Sequence, residues 1–313
     1  MPAIEVSSLT KEYDELRAND ELSFAVEPGE VFGYLGPNGA GKTTTIRTLM
    51  GFMRPTSGTA RVLGADVQDE AALVEAKRRI GYLPANPAFD EHVTGRELLE
   101  VHAAVKGDDR LEAMLDTFAP PLTRPIRELS TGTVQKLGLV QAFMHDPDLV
   151  VMDEPTAGLD PLMQREFNEF LRAEAERGTT AFMSSHVLGE VRRVCDRVGV
   201  LRAGRLVAIE DVEDLLRRTG KTVRIRAAEP IDPGSLAIEG AHDVEVHAVE
   251  DDGADEFLFG MQARIVAEAT LTFTGDINRL LAVVADYDLV DLEVEEAPLE
   301  DVFMRFYGGH ADA

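Results

Sequence analysis

The segment GPNGAGKT, residues 36–43, has the residue types and spacing of a phosphate-binding loop. Its glycines allow backbone N–H groups to curl around phosphate oxygens, and Lys42 places a positive charge at the β- and γ-phosphates. The hydroxyl of Thr43 is a hard oxygen ligand that suits Mg²⁺. A plain glycine-rich turn is the alternative. The apolar run before the loop and the helical run after it favour the phosphate loop.

Two adjacent carboxylates, Asp153 and Glu154, end the apolar run LVVMDE. A continuous apolar run of this length predicts a strand buried on both faces of a parallel sheet, and such sheets bind ligands at the carboxyl ends of their strands. We therefore expect Asp153 to hold Mg²⁺, directly or through water, and Glu154 to act as general base for the attacking water. A strand that ends in two solvated acids is the alternative.

His186 follows another strand-like run, in the segment SSHV, from which its imidazole could reach a γ-phosphate. A purely structural role is the alternative for this histidine, but the neighbouring motifs favour a role at the γ-phosphate. The other six histidines have no metal-ligand spacing, so we expect them to be surface or core residues: His92, His102, His145, His242, His247 and His310.

A second helix start occurs at ELSTGTVQKLGL, residues 128–139. Serine, glycine and threonine precede an apolar period, so several backbone N–H groups lack a partner within the helix. Such an end attracts anions. The chain thus has two candidate phosphate sites about ninety residues apart.

Alternating strands and helices must position these residues, which predicts an α/β fold around a parallel sheet. Residues 94–145 interrupt the alternation because they are mostly helical, and Thr94 with Glu97 has the spacing of a capping box. Strands are expected within 3–9, 22–36, 57–67, 148–155, 179–185 and 198–209. Helices are expected within 41–53, 70–80, 161–177 and 187–198.

The character of the chain changes near residue 219. Residues 220–313 contain 21 acidic and six basic residues, a net charge of −15. Four runs of alternating hydrophobicity interleave with helical segments at 276–287 and 298–308, which predicts a small α+β domain. We therefore expect two domains, 1–218 and 219–313.

Composition excludes several classes of protein. The sequence is 44% hydrophobic, enough for a packed core, and its longest apolar runs are too short for a membrane helix. The N-terminal residues do not have the form of a secretory signal, so we expect a cytoplasmic protein that would need a separate membrane-spanning partner if it works on a membrane. The single cysteine, Cys195, excludes an internal disulfide and is expected to be a small buried hydrophobe.

The net charge of −26 argues against nucleic acid as a partner, because non-specific binding to phosphate backbones needs clustered lysine and arginine. The chain has only six lysines, compared with 25 arginines, and 57 acidic residues. A composition rich in acids and poor in lysine favours a halophilic protein over a merely acidic one.

We predict a higher melting temperature in molar KCl than in low salt, because salt screens the self-repulsion of so many carboxylates. Thermal melts followed by circular dichroism at the two salt concentrations measure this effect. Equal melting temperatures would contradict the halophile interpretation.

The phosphate loop, LSTGT, VVMDEPTAGLD and SSH, in this order and spacing, resemble the nucleotide-binding subunit of an ABC transporter over residues 1–218. The resemblance implies a P-loop ATPase fold with a parallel-sheet core, an antiparallel β-subdomain and a helical subdomain at about 86–146. In this family the segment equivalent to LSTGT binds the γ-phosphate of an ATP held by the opposite subunit. That arrangement explains the two helix starts.

The resemblance also assigns site residues. Tyr13 matches the aromatic that stacks on adenine, although a strand-surface tyrosine is the alternative. Asp160 matches a loop that links the two ATP sites. The expected catalytic residues are Lys42, Glu154 and His186, and the Mg²⁺ ligands are Thr43 and Asp153. The expected ATP-binding residues are Tyr13, Gly36, Pro37, Asn38, Gly39, Ala40, Gly41, Lys42, Thr43, Thr44, Ser130, Gly132 and Asp160.

Three positions depart from the family pattern. Ala85, followed by Asn86, stands where the family usually has a glutamine that contacts Mg²⁺ and the water. Alanine can do neither, so Asn86 substitutes with its shorter amide, or water fills the metal contact, or the ATPase is slower or differently coupled. Thr131 and Thr133 replace a glycine and a glutamine of the LSTGT segment but leave Ser130 and Gly132 in place.

The resemblance implies an ATPase subunit at the cytoplasmic face of the membrane that pairs, as a homodimer, around two MgATP. It would power a separate permease, and the C-terminal extension resembles that of export-type subunits. A solvated accessory domain is the alternative for this extension. Two other functions stay open: an ABC-type ATPase acting on ribosomes or DNA, and an ATP-gated regulatory module with low turnover.

Overall fold

The computed structural model describes residues 1–14, 16–214, 220–248, 257–258, 261–262 and 267–296. The chain divides into two compact units, Met1–Val212 and Glu213–Ala313. A domain boundary near residue 218 stays a prediction, because residues 215–219 lie outside the described residues. None of the described helices has the length and apolar character that crossing a bilayer requires.

The first unit contains ten strands and seven helices within its described residues. The strands are β1 Ile4–Tyr13, β2 Leu16–Val26, β3 Val31–Leu35, β4 Ser57–Val62, β5 Ala65–Asp66, β6 Ile80–Leu83, β7 Leu149–Asp153, β8 Thr180–Ser185, β9 Arg197–Arg202 and β10 Arg205–Asp211. The helices are α1 Lys42–Leu49, α2 Glu70–Lys77, α3 Gly95–Lys106, α4 Leu111–Phe118, α5 Thr131–Phe143, α6 Pro161–Glu176 and α7 Leu188–Val194.

The central sheet has six strands in the order β10-β9-β3-β8-β7-β6, and all its pairs are parallel except β9 with β10. Every residue of β3, β7 and β8 is buried, which confirms strands covered on both faces. Because these strands run in one direction, the segments that follow β3, β7 and β8 share one edge of the sheet. The phosphate loop, Glu154 and His186 are in those three segments.

A second sheet of the first unit is antiparallel, in the order β2-β1-β4-β5. It packs against the central sheet through an aromatic cluster of Phe24, Phe32, Tyr34 and Phe182, whose ring centroids lie 5.2 to 5.9 Å apart. Burial of these rings, within a larger apolar core, stabilises the contact between the two sheets.

The helical stretch expected at 94–145 contains α3, α4, a 3₁₀ turn at Ile126–Glu128, and α5. The capping box at the start of α3 is confirmed: Thr94 Oγ1 accepts from the Glu97 N–H, and the Glu97 carboxylate accepts from the Thr94 N–H at 2.8 Å. These paired bonds satisfy two N–H groups that a helix end otherwise leaves open.

Helix α7 is shorter than the expected 187–198, because it ends at Val194. Cys195 is extended, and Asp196 pairs with Val31: its N–H donates to the Val31 carbonyl and its Oδ2 accepts from the Val31 N–H, both at 2.8 Å. This pairing with β3 ends the helix and leads the chain directly into β9. Cys195 is buried as expected, and burial raises the pKa of its thiol.

The second unit has a four-stranded antiparallel sheet in the order β12-β15-β11-β16. Its elements are β11 Lys221–Ala227, β12 Ala241–Ala248, β13 Phe257–Leu258, β14 Met261–Gln262, β15 Ala267–Phe273, α8 Ile277–Val284 and β16 Leu289–Glu296. Leu280 and Val284 of α8 are buried with the apolar residues of β11 and β15. The helix expected at 298–308 lies outside the described residues.

Candidate nucleotide site

The loop between β3 and α1 has the backbone form that a phosphate site requires. Gly41 precedes α1 with φ 108°, and a Cβ there would lie 2.3 Å from the Ala18 carbonyl oxygen, so only glycine fits. The first turn of α1 has no side-chain cap and no acidic residue. The N–H groups of Lys42 and Thr43 are therefore suited to an anion, which fits the phosphates of ATP.

Lys42 is nearly buried, with 6% of its side chain exposed, and its ammonium faces the carboxylate that follows β7. Its Nζ donates to the Gly36 carbonyl at 2.6 Å and lies 3.3 Å from Glu154 Oε1. The other carboxylate oxygen of Glu154, Oε2, lies 2.7 Å from His186 Nδ1. The three residues expected to be catalytic therefore form one contiguous chain of contacts.

Thr43 and Asp153 are joined directly, since Thr43 Oγ1 donates to Asp153 Oδ2 at 2.8 Å. Ser184 Oγ donates to the other oxygen of Asp153 at 2.5 Å and so fixes the carboxylate from the neighbouring strand. One carboxylate and one hydroxyl fit Mg²⁺, which takes few protein ligands and completes its shell with phosphate oxygens and water. Within the described part of the chain no group of three or more His, Cys, Asp or Glu side chains could hold a metal alone.

Glu154 has an unusual backbone, with φ 50° in the left-handed region that non-glycine residues rarely adopt. Ser184 holds this conformation, because both its carbonyl and its Oγ accept from the Glu154 N–H, at 3.2 and 3.1 Å. Strain of this kind is found where a side chain must be aimed at a particular point. Here the aimed side chain contacts Lys42 and His186.

The second helix start is confirmed as the N-terminus of α5. Ser130 is the N-cap residue, and its Oγ accepts from the Thr133 N–H at 3.3 Å. A Cβ on Gly132 would lie 2.6 Å from the Gly158 carbonyl oxygen, so α5 begins in close contact with the loop after β7. Gln135 adds a second link, because its Nε2 donates to the Pro155 carbonyl at 2.9 Å. This helix therefore touches the segment that carries Glu154.

Tyr13 and Asp160 have structural contacts of their own. Tyr13 is 41% exposed at the end of β1, where its hydroxyl contacts Met53 Sδ and Lys11 Nζ lies 5.1 Å from the ring centroid. Its outward ring could stack on a base. Asp160 is the N-cap of α6, with Oδ1 accepting from the Met163 N–H at 3.0 Å. Any role of Asp160 toward ATP would be additional to this cap.

Asn86, which follows Ala85, lies beside a cavity of about 490 Å³. Asn86 lines this cavity with Phe52, Tyr82 and Lys106, and no hydrogen bond from Asn86 to another residue occurs among the described residues. Burial lowers the pKa of Lys106 to about 8, with a smaller contribution from Lys77. The role of Asn86 as a substitute for the usual glutamine stays a prediction.

Four residues of the site were not identified from the sequence: Asn19, Gln135, Ser184 and Glu190. Asn19 Nδ2 donates to the Gly41 carbonyl at 3.2 Å behind the phosphate loop. Glu190 accepts hydroxyl hydrogens from both Thr156 and Ser185. Only Ser184 was indicated by the sequence, because it lies in the SSHV segment that contains His186. Gln135 and Glu190 are polar residues in segments that resemble ordinary helices, and Asn19 lies in the polar segment between two expected strands.

Comparison with known proteins places this geometry in a family. The ABC transporter family model matches residues 19–157. The bacitracin transport ATP-binding protein BcrA of Bacillus licheniformis is 31% identical over 312 residues, covering 98% of this chain and 97% of that protein. The Nod factor export ATP-binding protein I of Paraburkholderia xenovorans is 34% identical, with 98% and 97% covered.

A solved structure of an ATP-binding subunit of an ABC transporter has a TM-score of 0.64 and 31% identity, covering 69% of this chain and 92% of that one. The P-loop ATPase fold is therefore confirmed. ATP and Mg²⁺ are the ligands of this family, as expected, and these relatives do not favour an ATPase acting on ribosomes or DNA. The chain belongs to the ABC transporter family, as an ATP-binding subunit that hydrolyses ATP.

Proposed function

We propose that two copies of this chain pair around two ATP molecules and power a separate export permease from the cytoplasmic face of the membrane. Subunits of this family dimerise and work with membrane permeases. Full-length similarity to relatives named for bacitracin transport and Nod factor export supports an exporter. The acidic second unit is proposed to be an accessory domain of this subunit.

The observation that carries the proposal is the division of phosphate-binding groups between two places in one chain. Lys42, Thr43, Asp153, Glu154 and His186 lie together at one edge of the central sheet. Ser130 is exposed, and its hydrogen bonds go to Thr133 of its own helix. Pairing with a second copy would bring this helix end to the partner's phosphates and complete each site.

The residues would share the chemistry as follows. Lys42 exchanges its contacts with Gly36 and Glu154 for the β- and γ-phosphates, whose developing charge it offsets. Thr43 and Asp153 would hold Mg²⁺, which would offset negative charge on the phosphates. Glu154 takes a proton from the attacking water, while the imidazole of His186 keeps the carboxylate in place.

We expect Ser130→Ala to lower ATP turnover at least about tenfold, because a hydrogen bond to a charged oxygen contributes roughly 1.5–3 kcal/mol. Turnover per chain of the parent protein should rise with protein concentration as pairs form. Phosphate release measured across a protein dilution series gives both quantities.

Thr94→Ala is the matched control, since it removes the N-cap of α3 at a cost to stability of about 1 kcal/mol like that at Ser130. Its turnover should stay near that of the parent. Full turnover by a monomeric preparation that Ser130→Ala does not change would contradict the shared sites.

A further inference from the structure

Glu190 is an acidic residue in the first turn of α7, and the proposed mechanism gives it no role. Its two carboxylate oxygens accept from two hydroxyl groups: Thr156 Oγ1 donates to Oε1 at 2.6 Å, and Ser185 Oγ donates to Oε2 at 2.7 Å. Thr156 and Ser185 are both buried. Hydrogen bonds to an ionised acceptor are short and stronger than neutral ones, and burial protects them from competition by water.

The two donors belong to the two segments that carry Glu154 and His186. Thr156 lies in the turn after β7, in which the Ala157 N–H donates to the Glu154 carbonyl at 3.1 Å. Ser185 directly precedes His186, and its Oγ also accepts from the Val187 N–H at 2.9 Å. Ser185 therefore holds the backbone on both sides of the histidine.

The contact between Glu154 Oε2 and His186 Nδ1, at 2.7 Å, is made across these two segments. Its geometry depends on their separation, and a shift of the order of 1 Å in a reacting group can cost about a hundredfold in rate. A carboxylate bound to one hydroxyl from each segment fixes that separation.

We infer that Glu190 is a positioning residue for ATP hydrolysis, which sets the relative placement of Glu154 and His186 through Thr156 and Ser185. This inference rests on the proposed roles of Glu154 and His186. Glu190 touches neither of the reacting groups in this scheme, so it should affect the rate of the chemical step and leave ATP binding unchanged.

The test compares Glu190→Ala, Glu190→Gln and Thr156→Val, with Glu166→Ala on the exposed face of α6 as the control. ATP affinity is measured with a fluorescent ATP analogue, and turnover by phosphate release. Glu190→Ala should lower kcat about 10- to 100-fold with ATP affinity within about twofold of the parent. Glu190→Gln should recover most of the rate, because its amide can bond both hydroxyls.

Thr156→Val keeps the carboxylate and removes one of its donors, so it should give an intermediate loss of about three- to tenfold even if Glu190→Ala folds poorly. The deciding measurement is single-turnover hydrolysis in a Glu154→Gln background, where the base is already lost. Glu190→Ala should then cause little further loss, because it acts through Glu154.

An undiminished kcat in both Glu190→Ala and Thr156→Val would overturn the inference. So would a loss in Glu190→Ala that persists in full on top of Glu154→Gln, since that shows a general structural effect. The proposed function fails in a different way, through full turnover of Glu154→Gln by itself.

Discussion

Replacing Glu154 by glutamine is expected to lower ATP turnover by about 10²–10⁴-fold while ATP affinity stays within a few-fold of the parent value. Glutamine has the same shape, so it can keep a hydrogen bond to His186, but its amide does not accept a proton from water at neutral pH. The side chain is 16% exposed and lies 3.3 Å from Lys42 Nζ. The change also removes a negative charge beside the site of the γ-phosphate.

The variant should therefore remain in its ATP-bound state, because it binds ATP but hydrolyses it slowly. Steady-state phosphate release measures turnover, and titration with a fluorescent ATP analogue measures affinity. Gel filtration with ATP and Mg²⁺ should show a stable dimer that the parent protein forms only transiently.

Glu166→Gln on the exposed face of α6 is the control and should match the parent in every assay. Parent-like turnover of Glu154→Gln would show that Glu154 is not the general base. In that event Asp153 would be the next carboxylate to consider, although it is already bound to Thr43 and Ser184.

Replacing Lys42 by alanine is expected to weaken ATP binding by about 10- to 150-fold, since hydrogen bonds to charged groups contribute roughly 1.5–3 kcal/mol each. The ammonium group of this loop residue is nearly buried between the Gly36 carbonyl and Glu154. Its loss also leaves the Glu154 carboxylate without its cation. Turnover should fall further than affinity, because charge develops on the phosphates during transfer.

Lys221→Ala is a suitable comparison, because Lys221 is exposed at the start of β11 in the second unit. It removes one lysine from a chain that has only six and should leave ATP affinity unchanged. Equal ATP affinity in Lys42→Ala and Lys221→Ala would show that the loop does not bind phosphates through its lysine.

Much of the candidate site could be predicted from the sequence, because the phosphate loop, Glu154 and His186 each follow a strand-like run. Such a run predicts a buried parallel strand, and the carboxyl ends of parallel strands meet at one edge. That reasoning predicts that Lys42, Glu154 and His186 lie close together. The structure shows their contacts, while their catalytic roles stay proposals.

Other features could not be predicted, because they depend on contacts between segments distant in sequence. Glu190 is indistinguishable in sequence from a solvated helix residue, yet its partners are residues 34 and five positions away. The early end of α7 depends on the pairing of Asp196 with Val31, 165 residues apart. In the second unit, alternation predicted strands, but their order β12-β15-β11-β16 follows from tertiary packing.

The left-handed backbone of Glu154 implies a conflict between the stability of the fold and the proposed activity at this position. A non-glycine residue at φ 50° carries a conformational cost of roughly 1–2 kcal/mol, which glycine would not. Selection for thermal stability alone would therefore favour glycine over glutamate here. In a homologous chain that does not need to hydrolyse ATP, this replacement would raise the free energy of unfolding. If Glu154 has the proposed role toward water, its carboxylate is kept at this position at a cost to the stability of the fold.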